Sequence, residues 1–213
     1  TLLLAVLFLA VIFYFQVVNE RRQVYLSAVE TFFQIEQVLG ENKEELADLK
    51  QVYRNTCLHN AEAIAYLIED SPSVLESVEE LKKISTMIEV DEIHIFDTSG
   101  RIFSGTHPSY YGYTFDSGEQ MRFFKPMLED KSLRLIQEIT PNTAEMKMMQ
   151  YSALWSRDGE FIVQVGMEPV NVLKVTEKNE LSYIFSLLRV NSDANYYAIH
   201  KENGTIVGST DLS

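Results

Sequence analysis

The uncharged opening run TLLLAVLFLAVIFYFQVV limits what this chain can fold into more than any other feature. No residue from Thr1 to Val18 carries a charge, and nothing polar interrupts the run between Thr1 and Gln16. As an α-helix at about 1.5 Å per residue it is ~27 Å long, close to the ~30 Å hydrocarbon core of a bilayer. A signal peptide has a shorter apolar region and ends in a small-x-small cleavage site. Here the run passes straight into NERRQVY, and residues 1–18 are expected to be a retained transmembrane anchor. A buried core helix is the competing reading, and the unbroken apolar run weighs against it. The first residue is Thr1 and not Met, so the span is expected to begin further upstream.

The rest of the chain is acidic, with 31 Asp and Glu against 18 Lys and Arg and a net charge of −13. That balance argues against nucleic acid as a partner and against adsorption to anionic lipid. The single cysteine, Cys57, excludes an internal disulfide and lies in a helical pattern, where it reads as a packed thiol. His59, His94, His107 and His200 show no metal-ligand spacing with Cys57 or a carboxylate. His94 and His200 fall on strands, as packing or surface residues. No G-x-S-x-G, phosphate-binding loop or H-E-x-x-H occurs, and Thr143 in PNTAE reads as a turn residue. The sequence therefore points away from an enzyme and calls for no metal or cofactor.

From Glu20 to Asp70 the pattern is helical. Tyr25, Phe32, Leu39, Leu46, Tyr53, Asn60 and Leu67 form one heptad stripe, and Ala28, Ile35, Asn42, Leu49, Thr56 and Ala63 form a second. This imperfect seam predicts a long helix over residues 19–70, kinked at Gly40 and paired over residues 20–45 with the same helix of a second chain. Ser71 and Pro72 are expected to cap a second helix. EIHIFD and RIFSG predict a hairpin across TSG, followed by a tyrosine-rich loop at 106–117. Ser117 and Gln120 have capping-box spacing for a short helix that Pro126 should end. SLRLIQEI, MKMMQYSALW and FIVQVGM read as strands, and Val170–Val190 as a helix. The expected fold is α+β, a five-stranded antiparallel sheet with helices on one side, complete by Met167.

One stretch occurs twice. DEIHIFDTSGRIFSGT at 91–106 aligns with NYYAIHKENGTIVGST at 195–210, placing Gly100 on Gly204, Ile102 on Ile206 and Thr106 on Thr210. With these segments and FIVQVGMEPV, the chain resembles a double Cache sensor, two stacked PAS-like modules on a long helix, of a bacterial transmembrane receptor. The resemblance implies a membrane-distal module at 71–168, a connecting helix at 169–190 and the start of a second, truncated module at 191–213. It implies an extracytoplasmic sensor region on a bacterial plasma membrane, and beyond it a cytoplasmic cyclase, histidine kinase or chemoreceptor output. Arg21 and Arg22, just past the run, count against that orientation.

Amino-acid-sensing members of that family hold a ligand carboxylate with an arginine, followed by aromatics, on the short helix. They hold its ammonium with an aspartate at the end of the last strand. In MRFFK, Arg122 takes the arginine position and Phe124 the first aromatic one, while Lys125 replaces the second aromatic. In VGMEP, Glu168 replaces the aspartate. These departures favour an anionic ligand, an amino or organic acid carrying a carboxylate. Tyr110, Tyr111, Tyr113, Tyr151 and Trp155 are candidates for the pocket wall, with 110–115 as its lid. The alternative is a ligand-free dimerisation module whose pocket is filled by Phe123, Phe124, Met127 and Trp155.

Overall fold

A computed structural model describes residues 2–188 and 195–211. Its first element, α1, runs unbroken from Leu2 to Asp70. The helix continues through Gly40 without a break. A glycine costs a helix only about 1 kcal/mol against alanine, and no proline stands nearby to break the backbone ladder. The apolar start of α1 is exposed and has a mean hydropathy of 2.0 over its best 18-residue window, enough in length and composition to cross a membrane.

The chain divides into two compact units, residues 47–174 and residues 1–46 with 175–213. The larger unit is built on an antiparallel sheet. Its strands are β1 (Glu92–Phe96), β2 (Ile102–Gly105), β3 (Arg134–Ile136), β4 (Thr140–Pro141), β5 (Met148–Trp155) and β6 (Ile162–Met167). They lie in the order β2-β1-β6-β5-β3, with β4 beside the start of β5. The sheet is thus the expected five strands plus one short addition, and the fold class is α+β.

Both faces of this sheet are buried. On the back, Cys57, Ala61, Ile64 and Ile68 recur at helical spacing along α1 and meet Ile93, Ile95, Val163 and Val165 from alternate strand positions. Leu81 and Ile84 of α2 (Val78–Met87) complete that core. On the front, Phe96, Phe115, Phe124, Met127, Trp155 and Ile162 form a second core under the segment between β2 and β5. The expectation of cover on one side only misses this segment, which holds the four-residue helix α3 (Glu119–Arg122) and 3-10 turns. Pro126 sits in the first turn of one of them, past the end of α3, as a helix-ending proline should.

Two expected caps move. Ser71 precedes a 3-10 turn, Pro72–Glu76, and its side chain makes no cap bond. Helix α2 begins later, where Ser77 Oγ accepts from the Glu80 N–H at 3.2 Å. Ser77 carries an acid three residues on and Ser71 does not, so the stronger cap signal won. Gly118, not Ser117, stands at the N-cap of α3. Ser117 Oγ instead accepts from Thr114 N–H at 2.8 Å, which closes the preceding turn.

In the smaller unit, Ile35 and Leu39 of α1 pack with Leu181, Ile184 and Phe185. The predicted single helix at Val170–Val190 is two, α4 (Val170–Lys178) and α5 (Leu181–Leu187), and its last residues lie outside the described ones. The second copy of the repeated stretch forms a hairpin, β7 (Tyr197–Ile199) with β8 (Ile206–Ser209), and Ala198 stands opposite Gly208. Of the 191–213 segment, residues 191–194, 212 and 213 also lie outside the described ones.

Cys57 is fully buried, with Sγ 3.5 Å from the carbonyls of Gln150 and Val165 and 3.2 Å from the Ser152 hydroxyl. Burial pushes its thiol up to about 11, and the Ser152 hydrogen bonds oppose that rise. A thiol reagent at about pH 8 is therefore expected to modify Cys57 only at the rate at which this unit unfolds. Labelling that ignores denaturant concentration would contradict the packing.

Candidate functional site

The front face of the sheet changes chemistry along its strands. Register places Phe96, Ile162 and Trp155 in one row, His94, Gln164 and Ala153 in the next, and Glu92, Gly166 and Tyr151 in the third. The first row belongs to the apolar core. The other two bury a carboxyl, an imidazole, an amide and a phenol. Because side chains alternate between faces, Glu92 and His94, two apart on β1, stand side by side.

Gly166 permits the third row. A Cβ there would lie 2.5 Å from Cε1 of Tyr151, so only a bare backbone lets the ring lie across β6. The Tyr151 hydroxyl thereby reaches Glu92 and donates to Oε2 at 2.6 Å. His94 Nε2 stands 3.0 Å from the same oxygen. Burial pushes the Glu92 carboxyl up, but the hydrogen bond and charge of His94, then Tyr151 and His107, outweigh it and hold the group below its usual range. Tyr151 is driven upward, by burial first and the Glu92 charge second, with the Asn142 amide opposing. Glu92 is therefore a buried carboxylate accepting from two donors, and His94 carries hydrogen on Nε2.

Among the described residues, four buried side-chain atoms lack a hydrogen-bond partner: His94 Nδ1, Gln164 Nε2, Asn142 Nδ2 and Asn179 Oδ1. The first three residues line one cavity of about 20 Å3, room for a single water-sized group. Buried polar atoms left without a partner cost about 1–3 kcal/mol each, so three around one space mark a place suited to a polar guest. Asn142 is held by its own turn, where Oδ1 accepts from the N–H groups of Glu145 at 2.9 Å and Lys147 at 3.2 Å.

Tyrosines cover the cavity. The Tyr110 ring stacks on His107 at 5.3 Å and on Tyr113 at 5.9 Å and stands 5.6 Å from His94. Its hydroxyl donates to Glu145 Oε1 at 2.8 Å, fastening loop 106–117 to the 142–147 turn. Burial, then the Glu145 bond, raises the Tyr110 phenol. Gln120 and Gln137 seal one side through paired amide bonds of 3.0 Å each. A further chain of contacts leaves the cavity by the same turn. Lys147 Nζ meets Glu168 at 2.8 Å, and the Glu168 carbonyl accepts from the Tyr53 hydroxyl on α1.

Of the residues expected from sequence, Tyr110, Tyr113 and Tyr151 line the cavity, and Arg122, Phe124, Glu168 and Trp155 do not. Arg122 does not point inward: it is 62% exposed, with Nε 3.9 Å from Asp116. Residue 122 is one position past buried Met121 on a short helix, so its side chain leaves on the outer side. Glu168 faces Lys147 at the rim. Phe124 is core, and Trp155 donates from Nε1 to the Met127 carbonyl at 2.8 Å. Phe124, Met127 and Trp155 do fill the apolar end of this face, whereas Phe123 is exposed. The sequence does not single out Glu92, His94, Asn142 or Gln164 as site residues. The alternating polar positions of E-I-H-I-F are the signal for Glu92 and His94, and on most strands that pattern marks a wet face.

Because Glu92 is held below its usual range, its ionised form contributes stability above the ordinary glutamate pKa of ~4.3, and that contribution is lost as pH falls through the depressed value. Glu92→Gln is expected to cost about 1–3 kcal/mol near neutral pH. It should also flatten the acid limb of a stability curve taken from urea midpoints. Parallel curves for both proteins would mean that Glu92 is not ionised in the fold.

No family model matches the chain, and no curated protein matches it in sequence. Several solved structures are similar. The E. coli DcuS sensor domain is 13% identical over 58% of this chain and 97% of its own, with a TM-score of 0.41. The sensory domain of the Campylobacter jejuni chemoreceptor Tlp3, with isoleucine bound, is 10% identical over 87% of this chain and 73% of its own, at 0.48. The V. cholerae histidine kinase DctB sensor domain is 14% identical over 84% and 69%, at 0.43.

Proposed function

We propose that this chain is the extracytoplasmic sensor region of a membrane-bound bacterial signalling receptor, and that the 71–168 module binds a small polar ligand carrying a carboxylate. The observation that carries this reading is the set of unpartnered buried polar atoms around one cavity under a tyrosine cover. Residues 1–18 anchor the chain, in keeping with their exposed apolar surface. Tyr25 and Phe32, exposed on α1, give the 20–45 stretch an apolar stripe for a second copy of the helix. The 169–190 segment connects to a second module that begins with the β7–β8 hairpin. A cytoplasmic output domain receives the signal.

The ligand contacts rest with Tyr110, Tyr113 and Tyr151 together with His94, Asn142 and Gln164, and not with Arg122 or Glu168. The cavity as it stands has room for one water-sized group, so a larger ligand needs the Tyr110–Glu145 bond to part. The relay runs from Asn142 through Lys147 and Glu168 to Tyr53 on α1. A ligand-free module is the second reading, favoured by the small cavity and by the packing of Phe124, Met127 and Trp155 beside it.

A thermal-shift screen of amino and organic acids against the full chain in detergent separates the two. A ligand present at a hundred times its Kd adds about 2.7 kcal/mol and raises the unfolding temperature. Gln164→Leu is expected to abolish the response and Arg122→Ala to leave it intact. A screen in which no acid shifts the protein leaves the ligand-free module standing.

Orientation is tested separately. Glu160 is exposed in a turn, and Cys57 is buried and can stay. Cysteine at Glu160 should react with an impermeant thiol reagent on whole cells. Reaction only after lysis would place the module inside.

A further inference from the structure

We infer that the cavity takes a carboxylate only together with a proton, which is gained by Nδ1 of His94. The inference rests on the sensor reading and adds the charge state in which the ligand is held.

The residues lining the cavity include neither lysine nor arginine, and His94 is the one side chain among them that can become a cation. A carboxylate brought out of water needs an opposite charge or a full set of donors. Two amide donors are ready, Gln164 Nε2 and Asn142 Nδ2. The third unpartnered atom, His94 Nδ1, is an acceptor while the ring is neutral, because Nε2 holds the hydrogen that faces Glu92. A bare nitrogen repels a carboxylate oxygen. Protonation makes Nδ1 a donor and completes a set of three around the guest.

Charge balance points the same way. With the imidazole neutral, the buried group carries one negative charge, on Glu92. Adding a carboxylate and a proton gives carboxylate, imidazolium and carboxylate in line, and the net charge of the buried group does not change. Adding the carboxylate alone puts two like charges on either side of an uncharged ring. The proton comes from solvent, no covalent bond to the ligand forms, and none breaks.

The surroundings of His94 can support the imidazolium. On its own strand stands Glu92. From β5, Tyr151 donates to the same carboxylate oxygen. From the 106–117 loop come the Tyr110 ring at 5.6 Å and the His107 ring at 6.3 Å. Tyr113 stacks behind Tyr110, whose hydroxyl is tied to Glu145 from the 142–147 turn. Gln164, from β6, is neutral. Glu92 is thus the carboxylate in contact with the ring, Glu145 stands behind Tyr110, and His107 Nδ1 is 2.9 Å from the Thr106 hydroxyl.

The test uses the full chain in detergent, with acetate and succinate as anionic probes and acetamide as the uncharged counterpart of acetate. Calorimetry in two buffers of different ionisation enthalpy counts the protons taken up. At about pH 8, above the ordinary histidine range, acetate and succinate are expected to bind with uptake of about one proton and acetamide with none. Anion affinity should fall as pH rises, by roughly tenfold per pH unit where one proton is taken up. His94→Gln should remove both the uptake and the slope. If that variant does not fold, histidine-ring 15N spectra of the unaltered protein decide. Saturating acetate should move one Nδ1 from the bare to the protonated range. Anion binding without proton uptake, or with no histidine changing, overturns the inference and leaves the sensor reading in place. If neither anion binds even at about pH 5, the proton-coupled site is overturned. Whether the sensor reading falls with it is then read from the wider screen of amino and organic acids.

Discussion

A carboxylate buried at the start of β1 must be satisfied by whatever stands within reach, and much of the larger unit is arranged around that demand. Glu92 takes one hydrogen bond from His94 on its own strand and one from Tyr151 two strands away. The second requires the ring of Tyr151 to cross β6, and crossing requires Gly166. The first commits His94 Nε2 and turns Nδ1 loose. Satisfying one buried charge thus leaves another buried atom unsatisfied, and that atom faces the cavity. A phenylalanine in place of Tyr151 would keep the packing of the cover and lose this logic. The polar end of the sheet is held together by hydrogen bonds, the other end by packing of Phe96, Ile162 and Trp155.

The two cores divide the work. On the back of the sheet, Cys57, Ala61, Ile64 and Ile68 keep helical spacing and are all buried against the strands. That face is dry, and its buried thiol makes only weak contacts. On the front, cover is supplied by a loop, 3-10 turns and a four-residue helix, which have fewer backbone hydrogen bonds of their own. Elements of that kind open at lower free energy than a packed helix does. The polar cavity therefore lies on the face whose cover can yield, and the long helix on the face that cannot.

Periodicity was enough to read the sheet, the long helix and the α+β class from the sequence. The heptad stripes, the E-I-H-I-F alternation and the glycine turns are local signals, and each is set within a few residues. The cap of α2 was also written locally, since Ser77 has Glu80 three residues on, but the proline after Ser71 drew attention to the wrong serine. The cavity is different. It combines His94, Tyr110, Asn142, Tyr151 and Gln164 from separate segments, and strand register, not spacing along the chain, brings them together. Resemblance to sensors with an arginine on the short helix drew attention to Arg122. One residue of rotation on that helix puts Arg122 in the open groove beside Asn142 and Thr143 and not in the small cavity, and four residues of helix are too few to show a buried stripe. Polar residues on a strand were the available clue, and reading them requires knowing that both faces of the sheet are covered.

In the proposed relay, binding reaches α1 only if the ligand distinguishes two arrangements of the cover. A guest that fits the open and closed forms equally shifts nothing, however tightly it binds. The 142–147 turn has the connections to make that distinction. Asn142 offers Nδ2 to the cavity while its Oδ1 holds the N–H groups of Glu145 and Lys147. Glu145 holds the Tyr110 cover, and Lys147 reaches Glu168, whose carbonyl receives the Tyr53 hydroxyl of α1. Tyr53 is itself pushed up to about 12, by burial first and by Asp91 next, so its hydroxyl stays a donor at any physiological pH. One turn therefore lines the cavity, holds the cover and leads to the helix. A ligand that parts the Tyr110–Glu145 bond therefore acts on the same turn whose Lys147 leads to α1, and coupling requires that turn to have two arrangements.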